Sequence, residues 1–296
     1  MSTINFYIVD VFASEKFAGN QLAVFQGGAD LSDDQMQAIA REMNYSETTF
    51  ILSGTERDGG YDVRIFTPAA EMPFAGHPTL GTAYIIQQEL IGKPVGEVRL
   101  NLMVGQIPVA FSYENNLPGV LWMKQKPPEF GEIYDRNVMA DILNLEVGDI
   151  DERFPVEEVS TGFYTSIVPL KSIDAIKRAR VSVPKLLKHI QNKRAKTILI
   201  FCPETYYEQN ALNVRFFADY LGIAEDPATG SANGCLAGYL VKNKYFGTDS
   251  IDIQAEQGYE IRRPSLLMLK AAQKTDKIDV YVGGEVQMIA RGELYV

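Results

Sequence analysis

Two stretches of this chain carry no formal charge: residues 72–88, with His77 neutral, and residues 227–241. Drawn as helices they are apolar on every face, and a helix without a polar face must be buried on all sides. Gly81, Gly234 and Gly238 fall inside them. A mid-helix glycine costs about 1 kcal/mol relative to alanine, a loss explained if a sheet backbone packs closely against the helix at that point. The expected building block is one central helix per domain, wrapped by strands.

The two stretches sit in matching segments half a chain apart. Residues 64–84 contain the run from Glu71 to His77, and residues 215–239 contain the run from Glu225 to Ser231. Glu71, Pro73 and Gly76 coincide with Glu225, Pro227 and Gly230. In each segment a strand led by an arginine, Arg64 or Arg215, runs to a Pro-containing loop, a glycine and an apolar helix ending near Tyr84 or Tyr239. Self-similarity of this kind implies two copies of one structural unit.

The rest of the chain suits that plan. Strands are predicted over residues 6–12, 21–25, 48–52, 61–67, 97–102, 106–111 and from 118, and again over 163–169, 197–202 and 210–217, with the last fifty residues mostly β. Ser32 and Gln35 form a capping box ahead of Met36, Ile39, Ala40 and Met43, which predicts an amphipathic helix. Further helices are predicted near 135–144 and 184–192, the latter with Pro184 in its first turn. The segment after Pro127 and Pro128 reads as loop-rich. No Gly-x-Gly-x-x-Gly follows a strand and strands do not alternate regularly with helices, so an α+β fold is expected rather than a nucleotide-binding doubly wound sheet.

Composition narrows the function. The 296 residues are 46% hydrophobic and 22% charged, and 38 acidic against 28 basic side chains leave a formal charge of −10. This disfavours nucleic acid and anionic membranes as partners. Two cysteines, Cys202 and Cys235, and two histidines, His77 and His189, are too few for a disulfide framework or a thiolate or imidazole metal site, and no metal or cofactor is expected. No basic start with an apolar stretch marks the N-terminus and no apolar run approaches the roughly 20 residues of a spanning helix. A cytoplasmic protein is expected, and a homodimer on base rate alone.

Chemistry concentrates at the two helix starts. Backbone N–H groups after Gly76 and Gly230, at the positive end of each helix dipole, make a seat for an anion. Neither loop has the lysine of a nucleotide phosphate loop, which favours a small carboxylic acid as ligand. His77, Ser231 and Asp226 bring an imidazole, a hydroxyl and a carboxylate to these starts, a plausible acid/base set. His77 also reads as a structural helix-start residue, and Asp226, before Pro227, as a turn residue. Glu47 begins an otherwise uncharged strand. It reads either as a solvent-facing edge residue or as a carboxylate beside an apolar strand, the setting that suits a proton shuttle.

Residues 19–24 (Gly19 to Val24), 46–50 (Ser46 to Phe50), 66–68 with 76–79, and 225–232 together resemble the PhzF-like phenazine-biosynthesis family over nearly the whole chain. Gln21 stands where that family often has proline. The resemblance implies a diaminopimelate epimerase-like fold: two domains of like topology, each a curved, mostly antiparallel sheet rolled around a central helix. It implies domains of residues 1–116 with about 284–296, and 117–283, with the active site in the cleft between them.

By the same resemblance Glu47 is the general acid/base that moves a hydrogen between two carbons. Ser46, His77, Asp226 and Ser231 hold and polarise the substrate, and Gly76 and Gly230 add backbone donors. The related epimerases place a cysteine at each helix start, where this chain has Ala75 and Thr229, so two-thiol epimerisation is excluded. The expected function is a cofactor-free isomerase of a small unsaturated or cyclic carboxylic acid. The alternatives are a racemase or epimerase pairing Glu47 with Asp226 or His77, and a binding protein that has lost turnover.

Overall fold

A computed structural model describes residues 3–296. The chain divides into two compact units, Met1–Met123 with Gly283–Val296, and Lys124–Val282. The fold is α+β, with mixed sheets and few helices.

The first unit is built from β1 (Thr3–Val11), β2 (Asn20–Gln26), α1 (Asp33–Met43), β3 (Glu47–Ile51), β4 (Tyr61–Phe66), β5 (Glu71–Met72), α2 (Gly76–Ile85), β6 (Glu97–Leu102), β7 (Gly105–Glu114) and β8 (Leu117–Lys124). Strand β1 pairs antiparallel with β2, β2 parallel with β3, β3 antiparallel with β4, β4 parallel with β6, and β6 antiparallel with β7. The short β5 folds back on β4 just before α2.

The second unit contains β9 (Glu129–Tyr134), α3 (Arg136–Leu143), β10 (Val156–Ser160), β11 (Tyr164–Pro169), α4 (Ile173–Arg178), α5 (Val183–Ile190), β12 (Thr197–Cys202), β13 (Leu212–Ala218), β14 (Ile223–Asp226), α6 (Gly230–Lys242), β15 (Ser250–Gln257) and β16 (Ser265–Gln273). Here β10 is antiparallel to β11, β11 parallel to β12, β12 antiparallel to β13, β13 parallel to β15, and β15 antiparallel to β16. The short β14 folds back on β13 just before α6. The sequence of pairings is that of the first unit, strand for strand, so the repeat read from Glu71 to His77 and Glu225 to Ser231 extends to a whole topology. Strands β17 (Ile278–Gly284) and β18 (Val286–Tyr295) complete the chain, and β18 pairs antiparallel with β1.

Both uncharged stretches are central helices. Every residue of α2 except Tyr84 is buried, as is every residue of α6 except Ser231 and the terminal Lys242. Helix α2 packs on β1, β2, β3, β6 and β7, and α6 on β10, β11, β15 and β16. The glycines do mark close approach, though not of sheet backbone as the sequence suggested. A Cβ at Gly81 would lie 2.6 Å from Leu22 Cδ2 and 2.9 Å from Val11 Cγ2, and one at Gly238 would lie 2.7 Å from the Pro128 ring. At Gly234 the neighbours are Gln125 and Thr161 side chains. Bulky side chains between helix and sheet use the space that a helix side chain would need.

The opposite faces of the sheets are covered by the amphipathic helices. Met36, Ile39 and Ala40 of α1 cluster with Ile4, Phe25, Phe50 and Phe66, and Phe25 stacks on Phe50 at 5.2 Å. Residues from α3, α4 and α5, among them Met139, Leu143, Ile176 and Leu186, cluster with Ile198, Ile200 and Phe217. Capping follows the sequence reading: Ser32 and Gln35 form a reciprocal capping box, and Asp135 and Asn144 close the two ends of α3. Strand β9 occupies the segment read as loop. It pairs antiparallel with β10 and buries only Tyr134, so no apolar alternation announces it.

Candidate active site

Pairing fixes which way Glu47 points. It is the first residue of β3, a strand flanked on both sides by β2 and β4, so the edge-strand reading does not hold. Side chains alternate along a strand. Phe50 joins the α1 cluster, whereas Thr49 turns to α2 and its Oγ1 lies 2.8 Å from Thr82 Oγ1. Glu47 shares the parity of Thr49 and therefore the α2 side.

There it meets His77. Glu47 Oε2 lies 3.5 Å from His77 Nε2, with the two side chains 17% and 6% exposed. Burial pushes the imidazole pKa down to about 3, so the ring is neutral and the contact is not an ion pair. The same Nε2 lies 3.3 Å from the Gln21 carbonyl oxygen, and Nδ1 lies 3.4 Å from Asn20 Nδ2. Ser46, half-buried, directly precedes β3.

Helix α2 opens at Gly76 after Ala75, with no side-chain cap, and Pro78 contributes no N–H to its first turn. Helix α6 opens at Gly230 after Thr229, also without a side-chain cap, and no proline interrupts its first turn. The Thr229 hydroxyl is engaged elsewhere: it donates to Asp226 Oδ2 and lies 3.2 Å from Gln257 Nε2. Asp226, buried at the end of β14, keeps its backbone carbonyl bonded to Gln257 Nε2 at 2.8 Å. Ser231 is half-buried, and its carbonyl accepts from Thr161 Oγ1 at 3.3 Å.

The structure thus gathers Ser46, Glu47, Gly76 and His77 in the first unit, and Asp226, Gly230 and Ser231 in the second. Sequence reasoning missed the residues that hold them. In the first unit these are Asn20 and the Gln21 carbonyl. In the second they are Gln257 and Asn233, both fully buried, whose amides lie 2.7 Å apart and tie the 226–229 loop to α6. Gln125, also buried, packs beside Gly234 and Thr161 and leaves its Nε2 without a partner among the described residues.

The repeated arginine and glutamate prove to be partners. Arg64 Nε and Nη2 grip Glu71 at 2.6 and 2.7 Å, and Arg215 Nε and Nη2 grip Glu225 at 2.9 and 2.7 Å. Each guanidinium also lies over a phenylalanine two residues along its strand, Phe66 at 5.0 Å and Phe217 at 4.8 Å. In each unit this bidentate clasp ties the short strand that leads into the central helix to its neighbour.

No thiol can serve as the proton carrier. Cys202 and Cys235 are buried and unbonded to each other, and burial pushes their pKa values up to about 12 and about 11. Among the described residues no group of three or more His, Cys, Asp or Glu is arranged to hold a metal ion, and no helix is long and apolar enough to cross a membrane.

The model of the phenazine biosynthesis-like protein family, PhzC-PhzF, matches residues 9–292. The chain belongs to this family. It is 33% identical to the trans-2,3-dihydro-3-hydroxyanthranilate isomerase of Pseudomonas aeruginosa, over 98% of this chain and 99% of that one. It is 35% identical to a protein of Pasteurella multocida also named an isomerase, over 98% and 94%. This family member is accordingly an enzyme of the isomerase class. A crystal structure of the Bacillus anthracis phenazine biosynthesis protein of the PhzF family superposes with a TM-score of 0.89 at 28% identity, covering 100% of both chains. A probable proline racemase from Agrobacterium radiobacter superposes at 0.65 with 9% identity, covering 99% of this chain and 93% of that one, which shows a shared fold.

Proposed function

We propose that this chain isomerises a small unsaturated carboxylic acid by a 1,3-proton shift, with Glu47 as the single acid/base and without a cofactor. The observation that supports this most directly is the Glu47 carboxylate 3.5 Å from a buried, neutral imidazole at an uncapped helix start. The carboxylate takes a proton from a saturated carbon next to the unsaturated system, and the C–H electron pair becomes the new double bond. The original double bond shifts, and the same carboxyl group returns the proton to the far carbon. Nothing is oxidised or reduced. One base suffices because proton and electron pair stay within one substrate.

In the second unit the N–H groups of Gly230, Ser231 and Ala232, with the Ser231 hydroxyl beside them, make the α6 start a seat for an anion, whereas the α2 start offers fewer donors because Pro78 has none. In the first unit His77 is assigned to a polar substituent of the substrate, with Ser46 directly preceding Glu47 in the chain; in the second, Asp226 ends β14 just before the α6 start. The relatives named trans-2,3-dihydro-3-hydroxyanthranilate isomerase make that cyclic amino acid the first substrate to test.

The experiment compares the wild type with Glu47→Gln on that substrate, in light and heavy water and with a chelator present. The expected result is conversion by the wild type in chelator, retention of the transferred light hydrogen at the receiving carbon in heavy water, and a loss of about 10² to 10⁴ in rate for Glu47→Gln at an unchanged melting temperature. A Glu47→Gln enzyme with near wild-type turnover would sink the assignment.

A further inference from the structure

We propose that Asn20 is a positioning residue that holds His77 as the neutral tautomer with its proton on Nε2, so that the ring presents a fixed N–H to the Glu47 carboxylate. The proposal rests on the reading of Glu47 as the proton carrier and assigns His77 a part in it that moves no proton.

The argument starts at Nε2. Its two neighbours are the Gln21 carbonyl oxygen at 3.3 Å and Glu47 Oε2 at 3.5 Å. A backbone carbonyl only accepts, so Nε2 must carry a hydrogen to bond it. A neutral imidazole has one N–H, which leaves a lone pair on Nδ1. That lone pair needs a donor, and Asn20 Nδ2 lies 3.4 Å away. The orientation of the amide therefore follows from the carbonyl on the far side of the ring.

Asn20 is placed with some effort. It opens β2 and is 2% exposed, where an amide costs about 1 to 3 kcal/mol unless it is bonded. The loop before it holds two non-glycine residues in the left-handed region, Phe12 at φ 60° and Phe17 at φ 68°. Such backbone persists where its surroundings over-determine it, and it gathers at functional sites. Buried Asp10 fixes the second of these, accepting from the Phe17 N–H at 2.8 Å. Gly19 follows at φ 67°, where a Cβ would fall 2.4 Å from the Val11 carbonyl oxygen. The chain is constrained on both sides of the turn that delivers the amide to the ring.

A hydrogen on Nε2 turns the positive side of the ring toward the Glu47 oxygen 3.5 Å away. A ring with its hydrogen on Nδ1 would turn a lone pair to that carboxylate, and the two would repel.

The chain has two histidines, so long-range proton–nitrogen spectra of histidine-labelled protein at neutral pH resolve the question, with His77→Gln identifying the His77 resonances. The wild type should show Nε2 as the protonated nitrogen and Nδ1 as the bare one. Asn20→Leu should shift both resonances toward a tautomer average. Asn20→Asp, which can only accept at Nδ1, should move the hydrogen to Nδ1 or charge the ring. A wild-type spectrum with the hydrogen on Nδ1 overturns the proposal without any variant, and so does an Asn20→Leu spectrum identical to wild type in a folded protein. On a converted substrate, Asn20→Leu should lower kcat about tenfold with KM little changed. A wild type that converts no unsaturated acid would refute the reading of Glu47 and leave the tautomer result standing.

Discussion

Buried His77 makes acid stability a direct test of the site geometry. Its ring stays neutral in the folded chain down to about pH 3, while in the unfolded chain it titrates at its ordinary value of 6.5. Between those values the unfolded state binds a proton that the folded state does not, so stability falls as pH drops. Integrating from about pH 7.5 to about pH 5 gives a loss of about 2 kcal/mol from this one group. His77→Gln keeps a donor for the Gln21 carbonyl and an acceptor for Asn20 but cannot titrate, so it should escape that loss. The sole tryptophan, Trp122, lies on β8 in the same unit as His77, and its fluorescence during urea unfolding reports on that unit. With a slope of about 2 kcal/mol per molar urea, the midpoint of the wild type should fall about 1 M further than that of His77→Gln over this pH range. Carboxylates common to both proteins cancel in the comparison. Parallel pH curves would show that His77 is solvated or already charged, and the tautomer argument would fail with them.

Two further outcomes follow from packing. Gly81→Ala should destabilise by about 1 to 2 kcal/mol, because the overpacking against Leu22 and Val11 exceeds the helix-propensity gain, whereas Gly96→Ala, with open space around it, should be near neutral; thermal melts check both. Arg215→Met should cost about 3 to 5 kcal/mol, since it strands buried Glu225 and the Ile176 and Ala179 carbonyls that the guanidinium now satisfies. Arg64→Met, at a pair one quarter exposed, should cost about 1 kcal/mol, and equal losses in the two variants would contradict the difference in burial.

What the sequence disclosed follows the reach of each signal. Helix α1 was legible because Ser32, Gln35 and the apolar spacing lie within one element, and the central helices because their lack of charge left them nowhere but inside. Strands β5 and β14 were not, being two and four residues long and held by partners in the preceding strand. Helix α4, of six residues, carries too few turns to show a period. At the site, Glu47, His77 and Asp226 stood out as charged or titratable groups in apolar or repeated surroundings. Asn20 and Gln257 did not. Their amides act on side chains or loops 57 and 31 positions away, and a buried amide leaves no pattern in its own neighbourhood.

The repeat shows what the fold itself demands and what it leaves free. Asp62 of β4 stands opposite Asn101 of β6, and Asn213 of β13 opposite Glu256 of β15, at equivalent places in the two units. Each pair is a carboxylate and an amide in hydrogen-bond contact, 2.9 Å apart in the first and 3.2 Å in the second, but the two groups have exchanged strands. The exchange decides what else each pair can hold. The Asn101 amide donates to the Arg57 carbonyl, while the Glu256 carboxylate accepts from the Tyr206 and Tyr207 N–H groups and from Asn210. An amide N–H catches a loop by its carbonyl, and a carboxylate catches it by its N–H groups. The loops ahead of β4 and β13 could therefore diverge in length and course while each remained seated on the same parallel strand pair. The helix starts diverged in the same way on a common clasp: His77 beside a carboxylate in one unit, and Ser231 with Asp226 nearby in the other. Duplication supplied two equivalent frames, and the chemistry follows from the few positions at which they stopped being equivalent.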